Sequence, residues 1–355
     1  MQKTQSLLLE KLENLVLQEK FKKAILVCDK LLKLDKENFL ANVNKANLLA
    51  ETGFHEKALS YYHKALEIKS DDPSVLFNLA TTLYDLDRYE EAIEFFNKVI
   101  KKCPENTDAL CNKANALVAL GRHTQAIVNF NKALKIHPED LVILSNKGIV
   151  FAGKSRHKEA IGCFDVALKL NPTDVDTLCN KGNSLAELEN FKDAAICFES
   201  ALEIDSNDYD ARFRLGVAYS KTGRLNEAIL CFNQVIKKES GNVDALLNKG
   251  ITYITLSRHK NAISCFDKVL KTDRQNFEAL YHKAQCLAQI GTKAQAISLL
   301  RRAATIHHKE HTHDHDHPHD HDDKHGSIKN KILKDDSFIP LQDEKIFLSF
   351  INRLP

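Results

Sequence analysis

Residues 107–140 read TDALCNKANALVALGRHTQAIVNFNKALKIHPED, and this stretch decides the fold. Apolar residues follow helical spacing on both sides of Gly121, and Pro138 ends the second apolar run. Small residues, Ala114 and Ala126, stand on the two apolar faces, where they let helix backbones approach closely. The stretch therefore predicts two antiparallel helices joined by a short turn.

Three columns of this pattern recur along the chain at one constant spacing, without an insertion. The alanine of the second helix stands at Ala24, Ala58, Ala92, Ala126, Ala160, Ala194, Ala228, Ala262 and Ala296. Twelve residues earlier come Ala46, Ala80, Ala114, Gly148, Gly182, Gly216, Gly250 and Ala284, with Leu12 in the first copy. Four residues after the alanine comes a bulky ring, at Tyr62, Phe96, Phe130, Phe164, Phe198, Phe232 and Phe266. Nine helix-turn-helix copies in one register predict an all-α repeat solenoid.

The register sets the predicted domain organisation. The nine repeats are 5–38, 39–72, 73–106, 107–140, 141–174, 175–208, 209–242, 243–276 and 277–310. A histidine- and aspartate-rich segment follows at 307–326, and a tail with apolar character occupies 327–355.

The order small, small, aromatic and proline within a 34-residue repeat resembles the tetratricopeptide repeat family, and the resemblance covers residues 5–310. Blocks such as Asn112-Lys113-Ala114-Asn115 resemble the archaeal and bacterial style of the repeat. The resemblance implies a right-handed superhelical solenoid whose first helices line the inner surface, with a protein or an extended peptide as partner. The aromatic residue usual at the start of the second helix is replaced by His55, His123, His157 and His259, which we predict to be packed turn residues.

Charge and cysteine usage exclude several classes of function. Lys and Arg number 50 against 48 Asp and Glu, so no basic excess favours nucleic acid as a partner. Four of the nine cysteines, Cys163, Cys197, Cys231 and Cys265, recur at one place in the repeat, which indicates core residues and not a disulfide framework. Charged residues interrupt the apolar run Leu7-Leu8-Leu9 before a signal peptide or membrane span forms. We therefore expect a cytoplasmic protein that does not bind membranes.

A column of asparagines is the first candidate site. Two residues before the small column, on the side of a helical wheel opposite the packed face, come Asn44, Asn78, Asn112, Asn146, Asn180, Arg214, Asn248 and His282. The wheel therefore predicts that these side chains point outward. Asparagine is a poor helix former, so propensity does not explain the column. The column five after the small residue, also predicted to point outward, varies freely from Glu51 to Gln289.

An amide donates and accepts hydrogen bonds as a peptide bond does, so the column predicts a groove that binds the backbone of an extended peptide. It resembles the asparagine ladder of the protein O-GlcNAc transferases. Two other interpretations remain open: inheritance by duplication, and amide bonds to a neighbouring repeat. The family's clamp for carboxylate-ended chaperone tails is disfavoured, because the column six before the small residue is acidic. This acidic column, Asp108, Asp176, Asp210, Asp244 and Glu278, is expected to stabilise helix N-termini.

Residues 148–155, GIVFAGKS, match the phosphate-loop pattern G-x-x-x-x-G-K-[ST]. That loop must follow a strand and open a helix, whereas Gly148 belongs to the small column within a first helix. Gly153 to Ser155 fall in the predicted turn, so we do not expect nucleotide binding.

The histidine-rich segment is the second candidate site. After His307 and His308 come His311, His313, His315, His317, His319, His321 and His325, mostly interleaved with aspartates. This composition predicts disorder, and its imidazoles are able to bind Zn²⁺, Ni²⁺ or Cu²⁺. A solvated, pH-sensitive spacer is the alternative interpretation.

The tail regains apolar residues between Phe338 and Leu354. The last helix of a solenoid exposes an apolar face, here Ile297, Leu300 and Ala304, that needs a cap. We predict a helix at about 343–352 that docks on this face or in the groove, with a free partner-binding motif as the alternative.

No paired nucleophile and base, H-E-x-x-H or C-x-x-C motif occurs, so we do not expect an enzyme or a required cofactor. The predicted function is a scaffold that binds an extended peptide or partner protein in its groove. The alternative is a metal-handling or metal- and pH-regulated adaptor that uses the histidine tract. A catalytic partner on another chain stays compatible with either.

Overall fold

The structure is a computed structural model that describes the backbone of residues 2–312 and 328–354 and the side chains of residues 4–307 and 328–354. Within these residues every element is a helix and no strand occurs. The chain forms two compact units, residues 1–172 and 173–355. The predicted all-α repeat fold is therefore confirmed.

Unit 1 is a stack of five helix pairs. Its helices are α1 (Gln2–Leu17), α2 (Phe21–Leu34), α3 (Phe39–Glu51), α4 (His55–Ile68), α5 (Pro73–Asp85), α6 (Tyr89–Lys102), α7 (Thr107–Ala119), α8 (His123–Ile136), α9 (Leu141–Gly153) and α10 (His157–Leu170). The two helices of each pair pack together, and the second helix also contacts the first helix of the next pair.

Unit 2 continues with four pairs and ends in three short elements. The pairs are α11 (Val175–Glu187), α12 (Phe191–Ile204), α13 (Tyr209–Lys221), α14 (Leu225–Lys238), α15 (Val243–Thr255), α16 (His259–Thr272), α17 (Phe277–Gln289) and α18 (Lys293–Thr312). A helix α19 (Ile328–Lys334), a 3₁₀ helix (Asp336–Leu341) and a helix α20 (Lys345–Ile351) follow. From α3 to α17 each first helix begins at the residue where a predicted repeat begins, so the structure keeps the register of the sequence.

Each of these first helices begins with a capping side chain. The cap oxygen accepts a hydrogen bond from a backbone N–H two or three residues later, which satisfies one of the donors left free at a helix start. The caps are Asn38, Asp72, Asn106, Asp140, Asp174, Asp208, Asn242 and Asn276.

The core is built from the three columns. Phe164 is fully buried, and a Cβ added to Gly148 would lie 2.4 Å from its Cε1 atom. In this repeat the Phe164 ring therefore occupies the space that a side chain at position 148 would need. Cys163, Cys197, Cys231 and Cys265 are buried free thiols, as the column predicted, and burial raises the pKa of Cys231 to about 11.

The end of unit 2 is covered by the tail, as predicted. Ile297, Leu300 and Ala304 share one buried cluster with apolar residues of the three tail elements. The tail residues are Ile328, Ile332, Phe338, Leu341, Phe347, Phe350 and Ile351. We call residues 328–354 the cap. Two details differ from the predictions: α20 is shorter than 343–352, and α18 continues to Thr312, into the segment predicted to be disordered from His307.

Candidate peptide-binding face of the first helices

The asparagine column lies along the first helices of both units. In unit 1 it comprises Asn44, Asn78, Asn112 and Asn146, on α3, α5, α7 and α9. In unit 2 it comprises Asn180, Arg214, Asn248 and His282, on α11, α13, α15 and α17.

The column is less exposed than the helical wheel predicted. All six asparagines are half-buried, whereas the column five after the small residue is exposed in every copy from Glu51 to Gln289. The wheel treats a first helix as packed on one side, but each first helix contacts its second helix and a neighbouring pair. The asparagine side chains are therefore more covered by neighbouring helices than the wheel predicted, while their amide atoms are absent from the buried atoms without a partner.

In unit 1 the amides have unequal partners. Asn78 Nδ2 donates to Asn47 Oδ1 of the preceding first helix at 3.0 Å, and Asn146 hydrogen-bonds to the Cys111 thiol. These two amides therefore link neighbouring repeats. Asn44 Nδ2 donates to the Leu40 carbonyl of its own helix at 2.9 Å, which leaves Oδ1 as an acceptor.

Unit 2 shows the same variety. Asn248 Nδ2 donates to the Asp244 carbonyl at 2.9 Å, and the exposed Arg214 guanidinium pairs with Asp210 at 2.9 Å. Within the part of the chain that the structure describes, the amides of Asn112 and Asn180 have no protein partner. Among the residues that the structure describes, nothing occupies the donor or the acceptor of either amide.

His282 ends the column in a different environment. Its ring stacks on Phe266 with centroids 5.9 Å apart, and its Nδ1 lies 2.6 Å from Gln285 Oε1. Gln285 Nε2 in turn donates to Asp335 of the cap at 2.5 Å, and the Tyr281 hydroxyl donates to the same carboxylate at 2.7 Å. Burial lowers the pKa of His282. The last position of the column is thus connected to the cap.

The acidic column lies in the first turn of each helix, as predicted. The first turns of α7, α11, α13, α15 and α17 contain Asp108, Asp176, Asp210, Asp244 and Glu278. A carboxylate there interacts favourably with the positive end of the helix dipole. The lysines that the chaperone-tail clamp requires are therefore replaced by carboxylates at these positions.

The phosphate-loop match has no phosphate-loop structure. Gly148 lies within α9, Gly153 is its last residue, and Ser155 has a φ of 56° in the turn to α10. The residues preceding Gly148 in α9 are helical and not a strand. Residues 148–155 therefore do not form the loop of backbone N–H groups at a helix start that binds phosphate.

The four histidines at the start of second helices are half-buried first residues of α4, α8, α10 and α16, as packed turn residues should be. They are His55, His123, His157 and His259.

The predicted metal ligands, His311 to His325, lie outside the residues whose side chains the structure describes, so they stay a prediction. Among the side chains that are described, no group of three histidine, cysteine or acidic residues is placed to hold a metal ion. No helix within the described ranges is long and apolar enough to cross a membrane.

Two sets of residues were not singled out from the sequence. The helix caps carried a signal, since Asp or Asn immediately precedes each apolar run. The second set surrounds Lys45, which contacts Asp29 and Tyr61, each 16 residues away. Its signal is Asn42, a polar residue in a column that otherwise carries leucine in most repeats.

Stacked helix pairs in a strict 34-residue register define a helical-repeat protein. Models of the tetratricopeptide repeat family match residues 37–105, 107–140, 185–250 and 247–309. The chain belongs to the tetratricopeptide repeat family. No curated protein sequence matches it.

Three solved structures are similar to the chain. YrrB, described as a TPR protein with an unusual peptide-binding site, is 29% identical over 53% of this chain and 97% of its own, with a TM-score of 0.50. The C-terminal part of a TPR repeat-containing protein from Cytophaga hutchinsonii is 19% identical over 67% of this chain and 97% of its own, with a TM-score of 0.59. A tetratricopeptide repeat protein from Parabacteroides merdae is 18% identical over 68% and 95%, with a TM-score of 0.51. The last two likenesses show the fold alone.

Proposed function

We propose that the chain is a protein-interaction scaffold whose asparagine column binds an extended segment of a partner protein through its backbone. The observation that carries this proposal is the pair of half-buried amides, Asn112 and Asn180, whose hydrogen-bonding groups are unused by the described residues.

The chemistry suits a peptide backbone. An amide side chain presents one acceptor and two donors, which complement the N–H and C=O groups of an extended chain. The amide atoms of Asn112 and Asn180 are not among the buried side-chain atoms that lack a partner, so they are open to a ligand. Contacts to backbone groups would leave the ligand's side chains to be selected by the exposed variable column.

The likeness to YrrB supports a peptide as ligand, since YrrB is described as having a peptide-binding site. Asn78 and Asn146 support the structural interpretation in their own repeats, because they bond to the preceding repeat. The proposal therefore assigns most of the ligand contact to asparagines without such bonds.

Affinity capture from a native lysate tests the proposal. It compares the wild type with a double variant that carries both Asn112→Ala and Asn180→Ala. We expect the double variant to lose partners that the wild type retains. The matched control is Asn131→Ala, an exposed asparagine on the second helix α8, which should capture the wild-type set.

Circular dichroism separates binding from folding. The double variant should keep its helicity, because neither amide bonds to another described residue. An unchanged set of captured partners, or a loss of helicity, would count against the proposal.

A further inference from the structure

A cavity of about 870 Å³ lies between α2 and α4 in unit 1, with α3 as its floor. It belongs to repeats 1 and 2 and involves none of the asparagine column. Asn42 and Lys45 line its floor, and Tyr61 and Lys64 line one wall. A cavity of this size is in the range of small-ligand sites.

Comparison of the repeats shows that the floor is unusually polar. Asn42 is 1% exposed, and the same place in most other repeats carries a buried leucine. These leucines are Leu76, Leu110, Leu144, Leu178, Leu246 and Leu280; repeat 7 has Arg212. Asn42 Nδ2 donates to the carbonyls of Lys36 and Asn38, but its buried Oδ1 has no partner among the described residues.

The wall is polar for a second, independent reason. Tyr61 occupies the column that carries Cys163, Cys197, Cys231 and Cys265 in four other repeats. The other repeats carry Val27, Phe95, Leu299 and one more polar residue, Asn129, so repeat 2 differs in having a polar residue in both columns at the same cavity. Departures from a local rule of this kind are expected at functional sites.

Lys45 makes the cavity a donor-rich one. It is 9% exposed, while the lysines at the same place in other repeats, such as Lys113 and Lys283, are half-buried. Its ammonium contacts the Asp29 carboxylate and donates to the Tyr61 hydroxyl at 2.6 Å. Because an ammonium only donates, the Tyr61 oxygen accepts this bond and keeps its own hydrogen for another acceptor.

Further positive charge lines the cavity near the Tyr61 ring. The Lys64 ammonium lies 4.7 Å from the centroid of the Tyr61 ring, and Lys33 and Lys36 line the opposite side of the cavity. Asp29 is paired with Lys45, so three lysines face two unpaired acids, Glu37 and Glu67, around the cavity. The free hydrogen of the Tyr61 hydroxyl and the remaining charge favour an anion at this wall, whereas the buried Asn42 Oδ1 is an acceptor and would not contact that anion.

We propose that this cavity binds a carboxylate, which accepts a hydrogen bond from the Tyr61 hydroxyl and pairs with Lys64. Two sources supply that chemistry: an acidic side chain of a protein partner, and a free organic acid.

Isothermal titration of the full chain tests the proposal with three probes. They are an acetylated and amidated peptide with two glutamates, glutarate, and inorganic phosphate. We expect binding of at least one carboxylate probe, and Tyr61→Phe should weaken it about tenfold, since it removes one hydrogen bond to a charged group. Binding of the peptide alone identifies a protein partner, and binding of glutarate alone identifies a free acid. Heat from neither carboxylate, or tighter binding of phosphate than of both, overturns the proposal.

A matched pair of lysine variants tests the location. Lys45→Met should weaken binding of the carboxylate probe. The Asp29 carboxylate that loses its partner stays hydrated, because that side chain is 39% exposed. Lys283→Met removes the equivalent pair, in which Lys283 of repeat 9 contacts Asp267 of repeat 8. There Leu280 and Leu299 stand in place of Asn42 and Tyr61. We expect the affinity of Lys283→Met to equal that of the wild type. Equal weakening by both variants, or full affinity in Tyr61→Phe, contradicts the assignment.

Discussion

At the scale of single residues, two glycines of the same repeat have opposite roles. Gly148 lies in α9 against the fully buried Phe164, and an added Cβ would meet three ring atoms within 2.9 Å. Gly162 is exposed in α10, and an added Cβ would meet nothing within 4 Å. Close packing requires a glycine at position 148. At position 162 glycine has no packing role and only lowers the stability of the helix.

Gly148→Ala should therefore destabilise unit 1. The overlap with Phe164 is expected to cost about 1–3 kcal/mol. Urea unfolding followed by circular dichroism measures the change. Gly162→Ala is the control, and it should stabilise the protein by about 0.5–1 kcal/mol because alanine loses less entropy in a helix. Equal effects of the two changes would contradict the close approach of α9 and α10.

His282 carries a half-buried imidazole whose pKa depends on its surroundings. Burial holds the pKa of this imidazole below its ordinary value, while Glu278 and Asp335 oppose the shift and Lys331 adds to it. The folded protein thus takes up this proton less readily than the unfolded chain. The free energy of unfolding therefore falls as pH drops below about 6.5, the pKa of histidine in the unfolded chain, because the unfolded chain takes up the proton first.

We expect the urea midpoint of the wild type to fall more between about pH 7 and about pH 5 than that of His282→Asn. The substitution keeps a polar residue of the asparagine column but removes the titrating group. The same pH dependence in both proteins would show that His282 does not titrate in this way.

At the scale of elements, the cap replaces the neighbour that the last helix pair lacks. Asp335 accepts hydrogen bonds from Tyr281 and Gln285 of α17, and Lys293 of α18 pairs with Glu344 at 2.9 Å. In unit 1, Asn78 contacts the preceding first helix in a similar way, through Asn47. The cap therefore uses polar contacts of the kind that join successive repeats, together with an apolar cluster.

Substitutions in the 3₁₀ helix of the cap test this packing. Phe338 is 1% exposed, so Phe338→Ala should cost about 3–5 kcal/mol if the cap cannot collapse around the cavity. A lower melting temperature of unit 2 and new binding of a hydrophobic dye are the expected results. Ile339→Ala changes the next residue, which is 54% exposed, and should leave both measurements unchanged. Similar losses in the two variants would argue against a docked cap.

At the scale of the whole molecule, periodicity explains what could be predicted. The 34-residue register predicted the paired helices, the buried cysteines and the rejection of the phosphate loop, because each residue could be compared with its equivalents. The apolar tail also predicted a docked helix. The register did not reveal α19 or the 3₁₀ helix, which are short and occur once.

The candidate site was less predictable. A helical wheel describes one helix, so it could not include the adjacent repeats that partly bury the asparagines. The Lys45 contacts join three helices, and only the packed structure brings Asp29 and Tyr61 to the same ammonium. Column comparison nevertheless contains a signal, since Asn42 departs from a column that carries leucine in most repeats.

Photocrosslinking tests the central claim most directly, because it reports where a partner lies on the chain. A photoreactive residue in place of Ala119 would sit on the exposed side of α7, two helical turns after Asn112. One in place of Lys132 would be exposed on α8. Binding along the first helices predicts a crosslinked partner from position 119, none from position 132, and loss of the product when Asn112→Ala is added. Crosslinking from position 132 alone, or a product unaffected by Asn112→Ala, would contradict the account.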